Sequence, residues 1–176
     1  LSLHDALPIC MERAISAADA EDFDLRALVE SCAEGYRPLL APRELKLMLP
    51  PAPMPFHGSP DLIVQALDKL IDNARSFCPE SGWVLLALAS GQASAELAVA
   101  NSGPLLPAAM QERLFDSLVS LRDKPQRSGA TPHLGLGLHI VRLIAEWHRG
   151  TARARNLQGG GGVEFRLSLR GRTGTP

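Results

Sequence analysis

No Cys-x-x-Cys pair occurs in this chain. Cys10, Cys32 and Cys78 are odd in number and widely spaced, which speaks against a disulfide framework or a thiolate zinc site and fits a reducing compartment. An excess of one charge is missing too: 18 Lys and Arg stand against 19 Asp and Glu, so no basic field invites nucleic acid or an anionic membrane. No apolar run approaches the roughly 18 residues of a membrane span, and the first residues lack a signal-peptide pattern, so this stretch carries no membrane segment. Aromatic residues are scarce at 5%, yet hydrophobic residues make up 45% of the 176. That suffices for one well-buried core in a chain too short for two ordinary domains.

The clearest periodicity is helical. Ser59 and Pro60 open a helix as N-cap and first-turn residue, and Ile63, Ala66, Leu67, Leu70, Ile71 and Ala74 form its core stripe. Asp24 is placed to cap an earlier helix whose apolar face carries Leu25, Leu28, Val29, Cys32 and Tyr36. Residues 43–49 read as a short strand and the proline-rich run 50–55 as an extended connection. Residues 83–90 and 96–101 read as an antiparallel hairpin around Gly91, and 151–157 with 163–169 as another across Gly159–Gly162. Between them lie a short helix at 108–115, a polar segment at 116–133 expected to be a mobile loop, and a helix at 138–148 with Ile140, Val141, Ile144 and Ala145 inward. Helices interspersed with antiparallel hairpins predict an α+β fold, a two-layer sandwich of helices on one mixed sheet.

Four polar signals are set into this frame in order. Asn73 lies four residues after Lys69 and four before Phe77, so the three share a helical strip away from the apolar stripe. Asn101-Ser102-Gly103-Pro104 ends a strand, Arg113-Leu114-Phe115-Asp116 follows, and Leu134-Gly135-Leu136-Gly137-Leu138 runs into a helix. Taken singly each has a plainer reading: a solvated helix face, a turn, a core phenylalanine, a loop-to-helix junction. In this order and spacing they resemble the ATP-binding catalytic domain of bacterial sensor histidine kinases, a branch of the GHKL ATPases, over roughly residues 20–170. The strings Leu67–Asn73 and Pro132–Leu138 are similar to a proteobacterial subgroup associated with dedicated sortase systems.

The resemblance implies ATP and magnesium as cofactors. A neutral amide oxygen of Asn73 would complete a magnesium shell otherwise filled by water and triphosphate oxygens. Phe77 matches the aromatic that lies against adenine, Asn101 the side chain that accepts from the adenine amino group, and Gly103 the glycine that lets backbone approach the base. Leu106 falls in the same first glycine box and Phe115 matches the aromatic beneath the nucleotide lid. Leu134, Gly135, Leu136, Gly137 and Leu138 match the second glycine box, where a helix N-terminus offers N–H groups and a positive dipole to phosphate. Gly159–Gly162 matches the third box in position, although a hairpin turn alone explains it.

Several residues depart from the family pattern. Lys69 stands where a first Asn is usual, Ser76 where a Lys often follows, Asn101 where Asp is usual, and Leu105 where a second Gly is usual. Either Lys69 or Arg75 then supplies the phosphate-facing cation that Ser76 cannot, or catalysis is weakened. Arg122, Lys124 and Arg127 are further candidates to screen phosphate from the loop, or are simply solvated. A neutral Asn101 is expected to read adenine more weakly than a carboxylate, so Asn101→Asp should tighten ATP binding unless the pocket holds the carboxylate dry and unpaired.

The implied activity is protein histidine kinase, moving the ATP γ-phosphate to a histidine on a preceding helical dimerisation domain and onward to an Asp of a response regulator. The implied parent is a homodimer of the bacterial inner membrane, with this domain on the cytoplasmic side. No histidine here has the acceptor context: His4-Asp5 precedes Pro8 by one residue too few, and His57, His133, His139 and His148 lack the motif. Residues 1–9 correspond to one reading frame of a common sequencing adapter, so they are expected to be non-native, with 10–20 the end of an upstream helical domain, 21–170 the catalytic domain and 171–176 a tail. Two alternatives remain: a nucleotide-binding module without catalysis, favoured by Lys69, Asn101 and Leu105, and a serine kinase of the anti-sigma type on the same fold.

Overall fold

The computed structural model describes residues 3–111, 113–116 and 136–171. Helix α1 (Leu3–Ser16) is followed by strand β1 (Glu21–Asp24), and Asp24 then ends the strand and starts helix α2 (Leu25–Leu40). The Asp24 carboxylate accepts from the Arg26 and Ala27 N–H groups and from Met54 N–H across the chain. These backbone bonds, Met54 first, hold its pKa below the ordinary carboxylate value. Helix α1 starts ahead of the segment 10–20 that is expected to end an upstream helical domain, and stops at Ser16 within it.

Strands β2 (Glu44–Met48) and β3 (Pro55–Gly58) precede helix α3 (Pro60–Phe77). β3 begins at Pro55, the last residue of the expected extended connection, and pairs antiparallel with β1, a long-range partnership that local sequence does not encode. Ser59 caps α3 through its hydroxyl and the Leu62 N–H, and all six expected stripe residues are buried, joined by Leu62. Strands β4 (Trp83–Ser90) and β5 (Ala95–Asn101) form the first hairpin. Helix α4 (Ala108–Gln111) is shorter than the expected 108–115; residues 113–116 turn instead. Helix α5 (Gly137–Trp147) and strands β6 (Thr151–Asn156) and β7 (Val163–Leu169) complete the chain.

The main sheet has the order β2-β4-β5-β7-β6, with β2 parallel to β4 and every other neighbour antiparallel. Helices α2, α3 and α5 pack on one another and on one face of it, and α1 lies against α5. The core between the layers holds Leu25, Val29, Leu67, Leu70, Leu86, Leu97, Ile144 and Leu167, all fully buried. Burying each such side chain contributes about 1.5–3 kcal/mol relative to exposure. Of the apolar face expected for α2, Leu28 and Cys32 are only half-buried, while Ala33 and Leu40 complete the stripe. Tyr36 bolts α2 to α3 by donating to Asp68 Oδ1 at 2.6 Å, and burial, followed by that bond, pushes its hydroxyl pKa far up, keeping it a neutral donor.

Candidate functional site

Three segments distant in sequence meet along one strip of α3. Lys69, Asn73 and Phe77 follow at one-turn intervals, spanning about 12 Å along the axis. Lys69 is exposed, while Asn73 and Phe77 are half-buried. At the Phe77 end, Gly103 passes so close that a β-carbon built on it would lie 2.8 Å from the Phe77 carbonyl oxygen. Its φ of +147° is also one that side-chain-bearing residues rarely adopt. At the other end, a β-carbon on Gly137 would lie 3.7 Å from Lys69 Cδ, so the lysine stem runs beside the start of α5. Arg75, two residues past Asn73, lies about 200° round the helix and off the strip. Arg75 and Ser76 are both exposed.

Sheet register supplies the opposite wall. Alternation along β5 puts Leu97, Val99 and Asn101 on the face that looks toward the helices. Val84, Asn101, Val163 and Asn156 form one row across β4, β5, β7 and β6. Asn101 is 1% exposed. Its Nδ2 donates to the Ser102 carbonyl oxygen at 2.9 Å, which fixes the amide orientation, and no donor among the described residues reaches Oδ1. An unpaired buried acceptor costs about 1–3 kcal/mol, which a donor on a bound molecule would recover. Gly162, the last residue of the glycine turn, presses against the Asn101 backbone from behind. Gly159 and Gly160 have positive φ, so that turn is accounted for as the β6–β7 hairpin.

One residue escaped the sequence reading. Asn156 at the end of β6 clamps Leu106: its Oδ1 accepts from the Leu106 N–H at 2.8 Å and its Nδ2 donates to the Leu106 carbonyl at 2.9 Å. The loop that follows Gly103 is thereby tied to the sheet. The partners are 50 residues apart, so only the folded register could reveal them. Phe115 is buried, edge-on to Phe165 with ring centres 6.3 Å apart, so its ring belongs to the core. His139 Nδ1 lies 3.3 Å from the Phe115 carbonyl oxygen, and Arg142 pairs with Asp116 at 2.9 Å, fastening that turn to α5.

α5 begins without help: its N-cap is Leu136, no side chain caps it, and its first turn has no acidic residue. The positive helix end therefore lies at the Lys69 end of the strip. Leu136, Gly137 and Leu138 are half-buried there. Leu134 and Gly135 lie outside the described residues, as do His133, Arg122, Lys124 and Arg127. Among the described residues no group of three His, Cys, Asp or Glu is placed to hold a metal ion. A divalent cation here would depend on ligand oxygens with a single protein amide, a donor set that suits a hard cation carried by a polyphosphate.

A buried acceptor without a partner among the described residues at the Phe77 end of the strip, and the start of α5 at the other, suit a molecule with a hydrogen-bond donor at one end and an anionic group at the other. Residues 58–173 match the family model described as histidine kinase-, DNA gyrase B-, and HSP90-like ATPase. The sensor protein CreC of Escherichia coli is 33% identical over 138 residues, covering 78% of this chain and 28% of CreC. The sensor protein ChvG of Rhizobium meliloti is 31% identical over 172 residues, covering 90% and 30%. The chain thus spans less than a third of the length of these curated relatives. The crystal structure of full-length ShkA in complex with AMPPNP superimposes with a TM-score of 0.74 at 23% identity, covering 96% of this chain and 35% of that one. The mycobacterial sensor histidine kinase MprB gives 0.66 at 24%, covering 86% and 100%. This chain is a GHKL-fold domain and belongs to the histidine kinase-, DNA gyrase B- and HSP90-like ATPase family.

Proposed function

We propose that this domain binds ATP with magnesium and acts as the catalytic domain of a two-component sensor histidine kinase. The observation that carries the reading is the Asn101 amide: a buried acceptor at the end of β5, oriented by Ser102 and unmatched among the described residues. It supports adenine, whose exocyclic amino group is a donor, and disfavours guanine, which offers a carbonyl oxygen at that edge. Gly103 lets the loop close on α3, and Asn156 holds Leu106 so that the loop keeps its place.

The phosphates then extend along the strip toward Asn73 and the α5 N-terminus, with Gly137 and Leu138 presenting backbone N–H groups. Magnesium would be held by the phosphate oxygens, water and the Asn73 amide, and supplies charge neutralisation at the transferring group. The chain's own contribution is positioning: base at one end, polyphosphate at the other, γ-phosphate toward the acceptor. The acceptor is a histidine of a helical dimerisation domain, which passes the phosphoryl group to an Asp of a response regulator. The full-length protein is a homodimer anchored in the inner membrane, consistent with relatives named as sensor proteins. No helix among the described residues is long and apolar enough to cross a membrane.

Calorimetry with ATP tests the site. Wild type should bind with a magnesium-dependent component that Asn73→Ala removes; equal magnesium dependence in both would overturn the role of Asn73. A supplied dimerisation domain with a phosphoacceptor histidine should be labelled from γ-labelled ATP. A second reading, a nucleotide-binding module without catalysis, is favoured by Lys69 standing where a neutral amide is usual; ATP binding without labelling would select it.

A further inference from the structure

Strand β6 is an edge of the main sheet: β7 pairs with one side of it, and among the described residues no strand pairs with the other. An open edge offers backbone N–H and C=O groups that an incoming strand can bond. The strand alternates, with Thr151, Arg153 and Arg155 exposed on the outer sheet face and Ala152, Ala154 and Asn156 half-buried on the face toward the helices. Asn156 holds Leu106, so the loop after Gly103 lies at that end and residues 151–155 form the open stretch. The charges along it do not balance. Register sets Arg155 opposite Glu164 and Arg153 opposite Arg166. Glu164 bonds Arg155 at 2.8 Å and Arg166 at 3.1 Å, so one carboxylate serves two guanidinium groups. Arg153 is in none of the ion pairs among the described residues and faces a like charge across the strands, an arrangement that costs stability.

We propose that the open edge of β6 is a docking site for an extended acidic segment of a partner protein, which adds to the sheet as a further strand and sets alternate carboxylates beside Arg153 and Arg155. Main-chain bonds along the edge supply affinity in such a pairing, and the alternate side chains supply selectivity. Outward residues of one strand lie roughly 6.6–6.8 Å apart, so acids two residues apart on the incoming segment match the two arginines. The carboxylate beside Arg153 provides the counter-ion that the described chain leaves out. The same charges decide against other occupants. A second copy pairing through its own β6 would bring arginine rows together, a like-charge contact that disfavours self-association. A nucleic acid or an anionic membrane makes no use of the backbone edge, and it would meet Glu164 and Glu96 on the same outer face.

The test titrates the whole chain with a short fluorescent peptide alternating glutamate and threonine, with the matching lysine and threonine peptide, and with the glutamate peptide methylated on every backbone nitrogen. Wild type should bind the first about tenfold or more tightly than either control, and hydrogen exchange of the amides at 151–155 should slow in the complex. Arg153→Glu, which removes an attraction and adds a repulsion, should weaken that binding about tenfold, and Arg153→Lys should keep most of it. Both variants should melt no lower than wild type and bind ATP as wild type does, since Arg153 is exposed and takes no part in the nucleotide site. Failure of wild type to bind the glutamate peptide would overturn the proposal. Equal binding of the methylated peptide would overturn it too, by showing charge attraction without strand addition, as would equal binding by wild type and Arg153→Glu. Tighter binding of single-stranded RNA or of phosphatidylglycerol vesicles than of the glutamate peptide, lost in Arg153→Glu, would assign the face to a polyanion instead.

Discussion

Asn101 donates through Nδ2 to the carbonyl oxygen of its neighbour Ser102, and this one bond decides which end of the amide faces the site. Turning the amide over would set Oδ1 against the Ser102 oxygen, acceptor to acceptor, so Oδ1 stays the acceptor left without a partner among the described residues. From the sequence, Asn101→Asp is expected to tighten ATP binding unless the pocket holds the carboxylate dry and unpaired. Burial of Asn101 and its bond to Ser102 meet that condition. An ionised Asp would aim one oxygen at the Ser102 carbonyl in a buried setting, and both burial and that repulsion raise its pKa. Once protonated, its O–H donates to Ser102 and its carbonyl replaces Oδ1. ATP affinity of Asn101→Asp is therefore expected to match wild type at low pH and to fall about tenfold as the carboxyl ionises, whereas wild type shows no such step. Titrations with ATP and GTP at several pH values measure this; a variant tighter than wild type at neutral pH would show that the amide does not face the base.

Gly103 and Gly137 make a contrasting pair. Alanine at 103 would meet the Phe77 carbonyl and a strained φ, so Gly103→Ala is expected to cost about 1–3 kcal/mol of stability and to weaken binding of adenosine as well as ATP. Among the described residues, alanine at 137 meets only the flexible Lys69 stem at ordinary contact distance, and it gains helix propensity. Gly137→Ala should fold at least as stably as wild type, and any loss should fall on ATP rather than adenosine. Thermal melts and the two titrations separate these outcomes.

Asn156→Leu keeps the number and branching of the side-chain heavy atoms and deletes both bonds to the Leu106 backbone. With two backbone groups left unmatched, a loss of about 1–3 kcal/mol is expected, together with weaker ATP binding, although Asn156 belongs to none of the motifs read from the sequence. Unchanged nucleotide affinity would show that the loop holds its place by other means.

Glu164 supplies the pH dependence. Burial pushes its carboxyl up, but the bonds and charges of Arg166 and Arg155 outweigh burial and leave it below the usual value. The folded group thus ionises at lower pH than the unfolded one. Its stabilisation is complete above the unfolded pKa, about 4.3, and disappears as pH falls through the folded value. Glu164→Gln should be less stable than wild type at pH 7, and the two denaturation curves should converge in acid. Parallel curves across that range would mean that the pairs with Arg155 and Arg166 contribute nothing to folding.

Much of this protein was legible in the chain because its signals are local. The Ser59 cap and the stripe from Ile63 to Ala74 specify α3 within 16 residues, and alternation specifies the β4–β5 and β6–β7 hairpins, whose partners are joined by short turns. Those elements also carried the polar signals, so Asn73, Phe77, Asn101 and Gly103 could be chosen before any coordinates. What the sequence left open needed contacts made across space. Strand β3 exists because β1 lies beside it, Asn156 matters because sheet register puts it in one row with Asn101, and Lys69 is preferred to Arg75 because α5 begins against one and not the other. Periodicity determined which residues are buried and which faces are polar, since both follow from repeat lengths of two and 3.6 residues. Only tertiary packing decided which polar groups meet and which way the Asn101 amide turns, because those depend on neighbours that the chain brings from elsewhere.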